Sequence, residues 1–502
     1  MTAPARPATR RAMTVRHEVT GVLETVTALR VGGWGSSAEA DLVVARDGLD
    51  RFVIPGTSLA GAIRSWLGTV TGPDGSPLFG TADLGKVFGD LGPGSQEADL
   101  CLIRVDDAVA TGDVRAGIRD GVGIDRRTGT AAAGLLYQHE VIPPGSRFVV
   151  RITASQAPGD PQRAGLALDL IISALTEGRV EIGAARTRGL GLIRLTGVRR
   201  ATIDLTDRAQ VMTWLCGQLR PEPEPAPPPG RAAAPDGRLG IEISWSPVSP
   251  VMVQASTASD PDPAAGPAAD IVPLRTAAGP DGTTRLLLPG SSVKGVLRSH
   301  AERIMRTLLH LTDLPADWLD QVNDDRLGPV LALFGSAGTS AAGTSPAAGT
   351  GPEGRRGALA VHDCHTISSS ERVVTHVAID RWTGGAAENL LFSVREPETA
   401  DWEPMRLRLD VRRVSDTGPA DGDRALALLL LVLRDLADGW LAVGFGGTRG
   451  RGTVSVSQVS FSASGLPEPW ASLAGRTLAD LIGDPPEPVA RAFTSWRERT
   501  RS

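Results

Sequence analysis

The sequence predicts an α+β fold, with helices on one face of an antiparallel sheet, built twice in tandem. Three observations predict it. Five local patterns recur in the same order in the two halves of the 502-residue chain. Within each half, apolar stripes at helical spacing alternate with short segments of in-out alternation, which mixes helices and half-buried strands along one chain. Glycine supplies 59 of the 502 residues, above the average usage of roughly 7%, and this rules out a fold of long uninterrupted helices.

The repeats define the elements in order. IPGTSLAGAIRSWL (54–67) returns as LPGSSVKGVLRSHA (288–301), and VFGD (87–90) returns as LFGS (333–336). IRVDDA (103–108) is echoed by LAVHDC (359–364), and GIDRRTG (123–129) by AIDRWTG (378–384). Last, EGRVEIGAARTRGLG (177–191) returns as DGWLAVGFGGTRGRG (438–452). The separation widens almost steadily along the chain, as expected when loops lengthen in one copy of a duplicated domain. The first motif opens a helix, with Ser58 or Ser292 placed to cap free backbone N–H groups. Leu59, Ile63, Trp66 and Leu67 form its apolar stripe, matched by Val293, Val296 and Leu297. A second helix is predicted over about 164–176 and about 425–437, each closing at a glycine, Gly178 or Gly439, suited to a left-handed C-cap. Residues 147–153 and 406–411 read as half-buried strands.

These elements give a disordered N-terminus over 1–13, a first domain over 14–205, a proline-dense linker over 221–238 and a second domain over 239–465. Residues 466–502 form a helical tail interrupted at Pro485-Pro486, either a partner-docking segment or a terminal cap. The low-complexity stretches 256–269 and 335–356 read as inserted loops.

Composition narrows the function. Three cysteines exclude a disulfide framework and a four-cysteine zinc site, and they point to a reducing cytoplasm. The N-terminus lacks the apolar stretch of a signal peptide, and the longest apolar run, 425–433, is too short to span a bilayer. The expectation is a soluble, cytoplasmic protein with no membrane partner. A net charge of −5 excludes a globally basic nucleic-acid binder but leaves local basic strips open. All 52 basic residues except Lys86 and Lys294 are arginine, whose planar fork suits phosphate. Aromatics are 4% of the chain, with Tyr137 its single tyrosine, so extensive base stacking is not expected to drive binding.

The ordered set of a [LI]-P-G-[ST]-S helix start, an FG turn, a strand ending in D-[AC], an I-D-R-x-T-G turn and a G-x-x-R-G-x-G loop resembles the RAMP superfamily of CRISPR-associated proteins. Within it, the chain is most similar to the backbone subunit of type III effector complexes, with two such units fused in tandem. The resemblance covers about 14–198 and 239–462. It implies a ferredoxin-like, RRM-related core in each half that binds crRNA and contacts complementary target RNA, alongside other effector subunits, in antiviral defence. In catalytic members, an aspartate in a D-x-x-V-x-[KR] segment upstream of the P-G-S helix serves divalent-metal-dependent cleavage of target RNA. Asp41-Leu42-Val43-Val44-Ala45-Arg46 matches this segment, and Asp270-Ile271-Val272-Pro273-Leu274-Arg275 matches it more loosely. Asp41 and Asp270 are therefore the implied catalytic residues and the implied ligands of Mg²⁺ or another divalent cation. Two alternatives stand beside this reading: a non-catalytic RNA-binding scaffold, and a crRNA-processing endoribonuclease, for which no motif supplies a convincing general-base histidine.

Other candidates follow from residue chemistry. The late glycine-rich loops allow backbone amides to approach phosphate, with charge from Arg186, Arg188, Arg449 and Arg451 beside Gly189 and Gly450. The helix starts at Ser58 and Ser292 are anion sites in principle, reinforced by Arg64, Lys294 and Arg298. Gly32 and Gly33 form an early glycine pair that the second half replaces with Gln254-Ala255. Arg126, Arg127 and Arg381 flank the I-D-R turns and join the RNA-contact candidates, with Asp125–Arg126 and Asp380–Arg381 read as local ion pairs. The run His362-Asp363-Cys364-His365 resembles a metal motif, but alternation along a strand separates its members, so no zinc is expected.

Overall fold

The computed structural model describes residues 13–35, 37, 40–72, 76–89, 101–156, 161–224, 237–255, 269–277, 284–338, 354–416, 419–463 and 465–499. The N-terminus expected to be disordered lies almost wholly outside these residues, as do most of the linker and low-complexity stretches.

The first half contains β1 (Val15–Thr25), α1 (Gly56–Leu67), β2 (Ile103–Val105), β3 (Gly117–Ile124), β4 (Ala131–Val141), β5 (Arg147–Gln156), α2 (Pro161–Thr176) and β6 (Ile193–Asp204). Its sheet places β2 and β1 on either side of β5, with β6 beyond β1, all antiparallel. The second half repeats this with β7 (Arg238–Pro247), α3 (Gly290–Leu308), α4 (Trp318–Val322), β8 (Leu359–Val361), β9 (Cys364–Ile379), β10 (Ala386–Trp402), β11 (Met405–Asp410), α5 (Pro419–Ala437) and β12 (Val454–Ser462). Its four-stranded sheet runs β8-β11-β7-β12. With the hairpin strands and the short additional helices and strands set aside, both halves have the βαββαβ order of a ferredoxin-like fold. The fold is mixed α+β, twice over.

Each half has its own core. Leu59, Ile63 and Leu67 of α1 are fully buried with Leu168, Ile171 and Leu175 of α2. In the second half Val293 and Leu297 meet Leu426, Leu429 and Leu433 of α5. Gly178 and Gly439 adopt positive φ where the second helices end. The C-terminal helices α6 (Leu478–Gly483) and α7 (Glu487–Arg499) close the second core, burying Trp470, Leu473, Leu481, Val489 and Trp496.

The P-G-[ST] motif works differently from the capping expected of it. Both helices begin three residues earlier, at the glycine, with Pro55 and Pro289 as N-cap residues and no side-chain cap from serine. Ser58 and Ser292 then sit inside the first turn, beyond the N-cap role. The Asp107 carboxylate accepts from the Gly56 N–H at 2.7 Å, and Asp363 accepts from the Gly290 N–H at 2.9 Å. A side chain on either glycine would run into the carbonyl of Val105 or Val361. The first N–H of each helix is thus taken by a carboxylate, which suits the positive end of the helix dipole.

The I-D-R-x-T-G motifs form the tips of two hairpins, β3–β4 and β9–β10. Asp125 accepts from the Arg127 and Thr128 N–H groups, and Asp380 from those of Trp382 and Thr383. These are turn-forming aspartates, and the expected pairs with the adjacent arginines do not form. Arg126 instead reaches the second half, where Glu302 accepts from its Nε. Trp318 Nε1 donates to the Ile124 carbonyl at 3.2 Å, and Arg119 pairs with Asp363 at 2.7 Å. The first hairpin therefore clasps α3 and α4 of the second half. The equivalent β9–β10 tip is open, with Trp382 96% exposed.

Candidate nucleic-acid interface

The two candidate aspartates occupy matching places. Leu42 forms a parallel bridge with His139, and Ile271 forms one with Val394, so each D-x-x-[VP] segment runs beside the return strand of its own hairpin. Asp41 Oδ2 accepts from the Gln138 N–H at 2.7 Å. Asp270 Oδ2 accepts from the Ser393 N–H at 2.7 Å and from the Ser393 hydroxyl at 2.8 Å. Both carboxylates are exposed. The Ser393 backbone N–H and then its hydroxyl lower the Asp270 pKa, so this carboxylate stays ionised.

The rest of each segment follows the same register. Gly32 bridges Val44, and Gln254 bridges Pro273, so Gln254-Ala255 takes the place of Gly32-Gly33. Gly33 donates its N–H to the Val43 carbonyl, and Ala255 donates to Val272. The basic residue of the motif is tied to the hairpin in both copies: Arg46 lies 3.8 Å from Glu140, and Arg275 lies 2.5 Å from Glu371.

Beside each aspartate, one of the expected arginines meets an aromatic ring that sequence reasoning missed. Tyr137, one residue before Gln138, accepts a hydrogen bond from Arg188 at 2.8 Å. Phe392, one residue before Ser393, has Arg449 5.9 Å from its ring centroid, and Phe445 lies equally close to that arginine. Tyr137 and Phe392 stand at the same distance along the chain from Asp125 and Asp380. Aligning the arms beyond the I-D-R turns would have paired them.

Several expected contact residues turn inward. Lys294 is 8% exposed and donates to the Leu359 carbonyl at 2.8 Å; burial pushes its pKa down to about 7. Arg298 spends its donors on Glu302 and the Val322 carbonyl, and Arg126 shares the same glutamate. Arg451, 7% exposed, is tied to Glu396 and His376. Gly189 is buried against the backbone of Val361 and His362. Protein contacts occupy all five. Arg64 is half-buried and donates to the Gly89 carbonyl, while Arg186 is half-buried beside the Glu181 carbonyl. Gly32, Arg127, Arg188, Arg381, Arg449 and Gly450 remain exposed. Cys364 donates to the Glu403 carbonyl, and among the described residues no three His, Cys, Asp or Glu side chains gather as a metal site.

The sequence model of the RAMP superfamily matches residues 22–194 and 271–455, one match to each half. The chain belongs to the RAMP superfamily. Both matches contain a candidate aspartate segment or its end, the hairpin and the late glycine-rich loop. No curated protein matches this RAMP chain. Among the described residues, none of its helices is long and apolar enough to cross a membrane.

Proposed function

We propose that this RAMP protein is a crRNA-binding backbone subunit of a type III CRISPR effector complex and that it cuts complementary target RNA beside Asp41 and Asp270. One observation carries this reading. The duplicated fold holds both aspartates exposed, in one register, beside the return strand of a hairpin, with an aromatic ring and an arginine next in line. The exposed arginines supply charge for a sugar-phosphate chain, and Tyr137 and Phe392 supply ring faces for a base.

The reaction is attack of an RNA 2′-OH on its adjacent phosphodiester, with the 5′-oxygen leaving. Gln138 and Ser393 fix one oxygen of each carboxylate, so the aspartate is positioned before substrate arrives. A single exposed carboxylate is the hard-oxygen donor that a hydrated Mg²⁺ accepts, and Asp41 and Asp270 would each hold the ion. When bound, such an ion neutralises charge on the phosphate. With one carboxylate at each place, in-line bending of the target carries much of the remaining demand.

The lack of a carboxylate cluster among the described residues favours the second reading, an RNA-binding scaffold with both aspartates silent. Target cleavage by the assembled complex separates the two. Asp41→Ala and Asp270→Ala are each expected to erase one cut, and the double variant to erase both. Undiminished cutting by the double variant leaves only the scaffold.

A further inference from the structure

A cationic cluster lies beside the Asp41 segment, and the aspartate does not account for it. Arg119 and His139 face each other across the first hairpin and are 6% and 9% exposed. Arg30, half-buried, joins them from the segment preceding Gly32, and Arg188 closes the group from the late loop. Arg30 Nε, Arg119 Nη2 and His139 Nδ1 are buried without a hydrogen-bond partner among the described residues. Asp363 offsets part of the charge through Arg119, but it also takes the Gly290 N–H. Burial, followed by Arg30, Arg119 and Arg188, pushes the His139 pKa down to about 4. Burying cations with idle donors costs free energy, and a bound anion would offset that cost.

The second unit shows that the fold does not require this charge. Met252 takes the place of Arg30: the Ala184 N–H donates to the Arg30 carbonyl as the Phe445 N–H donates to Met252. Val374 and Val394 take the places of Arg119 and His139 in the hairpin register. Met252 and Val394 are buried there as ordinary core residues. The same backbone positions are apolar in one copy and hold two arginines and an uncharged imidazole in the other.

We propose that Arg30, Arg119, His139 and Arg188 form a phosphate-binding cradle in the first unit, filled by a phosphodiester of the bound RNA. That occupant rests on the RNA-binding reading above; the cradle itself does not. The first unit then holds the backbone through a buried phosphate contact that the second unit lacks.

Arg30→Met and His139→Val import the second unit's residues, singly and together, into the full chain. The measurements are affinity for a single-stranded RNA oligonucleotide across salt, and melting temperature with and without inorganic phosphate. The double variant is expected to bind RNA about tenfold more weakly at low salt. Its log–log salt slope should shrink by about 0.7, one phosphate's worth for a single strand. Its melting temperature without phosphate should hold or rise, whereas a purely structural role for these residues predicts a fall. RNA binding with an unchanged slope overturns the cradle. If the native chain binds no RNA but phosphate raises its melting temperature, and the double variant loses that effect, the cradle stands as a free-phosphate site and the guide reading falls. No response to either probe overturns both.

Discussion

Arg449 and Arg451 are two residues apart in one loop, yet the structure predicts opposite consequences for their loss. Arg449 is exposed near Phe392 and Phe445, and among the described residues no buried carboxylate pairs with it. Arg451 is 7% exposed, and its Nε and Nη2 lie 2.8 and 2.7 Å from Glu396, itself 3% exposed. Removing one partner of such a buried pair costs about 3–5 kcal/mol, because the stranded charge stays out of water. Arg372, 3.1 Å from the other Glu396 oxygen, offsets some of this, but its own side chain is half exposed. At roughly 2–4 °C per kcal/mol for a domain of this size, Arg451→Ala is expected to lower the second unit's melting temperature by about 6–20 °C. Arg449→Ala should leave melting unchanged and reduce the salt slope of RNA binding by about 0.7. Differential scanning fluorimetry and salt-titrated RNA binding on both variants measure this contrast. A stable Arg451→Ala protein, or an Arg449→Ala protein with a lower melting temperature, would refute the reasoning.

Two more predictions concern the junction between the units. Glu302, 3% exposed, accepts from both Arg126 and Arg298, so Glu302→Ala strands two cations and is expected to cost about 3–5 kcal/mol in denaturant unfolding, with Glu302→Gln costing less. Lys294 has its pKa lowered from 10.5 to about 7 by burial and then by Arg188, Arg298 and Arg356. Between those values the unfolded chain binds the extra proton, so stability should rise with pH from about 7 towards 10.5. Lys294→Met should flatten that rise in pH-dependent thermal unfolding.

Much of the fold was legible because duplication prints the same local demands twice. The P-G-[ST]-S starts, the I-D-R turns and the late glycine loops each answer to a neighbourhood of a few residues. The placement of Asp41 and Asp270 was legible for the same reason. What stayed hidden depends on distant contacts. Arg126 reads as a partner for Asp125, but its carboxylate, Glu302, lies 176 residues away. Lys294 and Arg451 look like phosphate donors in the sequence, and only tertiary packing reveals that they are buried. Ser58 has the chemistry of a cap, but a helix that begins at Gly56 takes its cap from Asp107. Arg30, Arg119 and His139 are scattered in sequence and meet only when the hairpin folds back beside the early segment.

The most direct measurement is the nucleic acid that copurifies with the chain and its complex partners under native conditions. A doubled RNA-gripping fold predicts a short RNA of defined length, shielded from nuclease and released by salt or denaturation. Preparations that are folded and fully assembled yet carry no such RNA would contradict it.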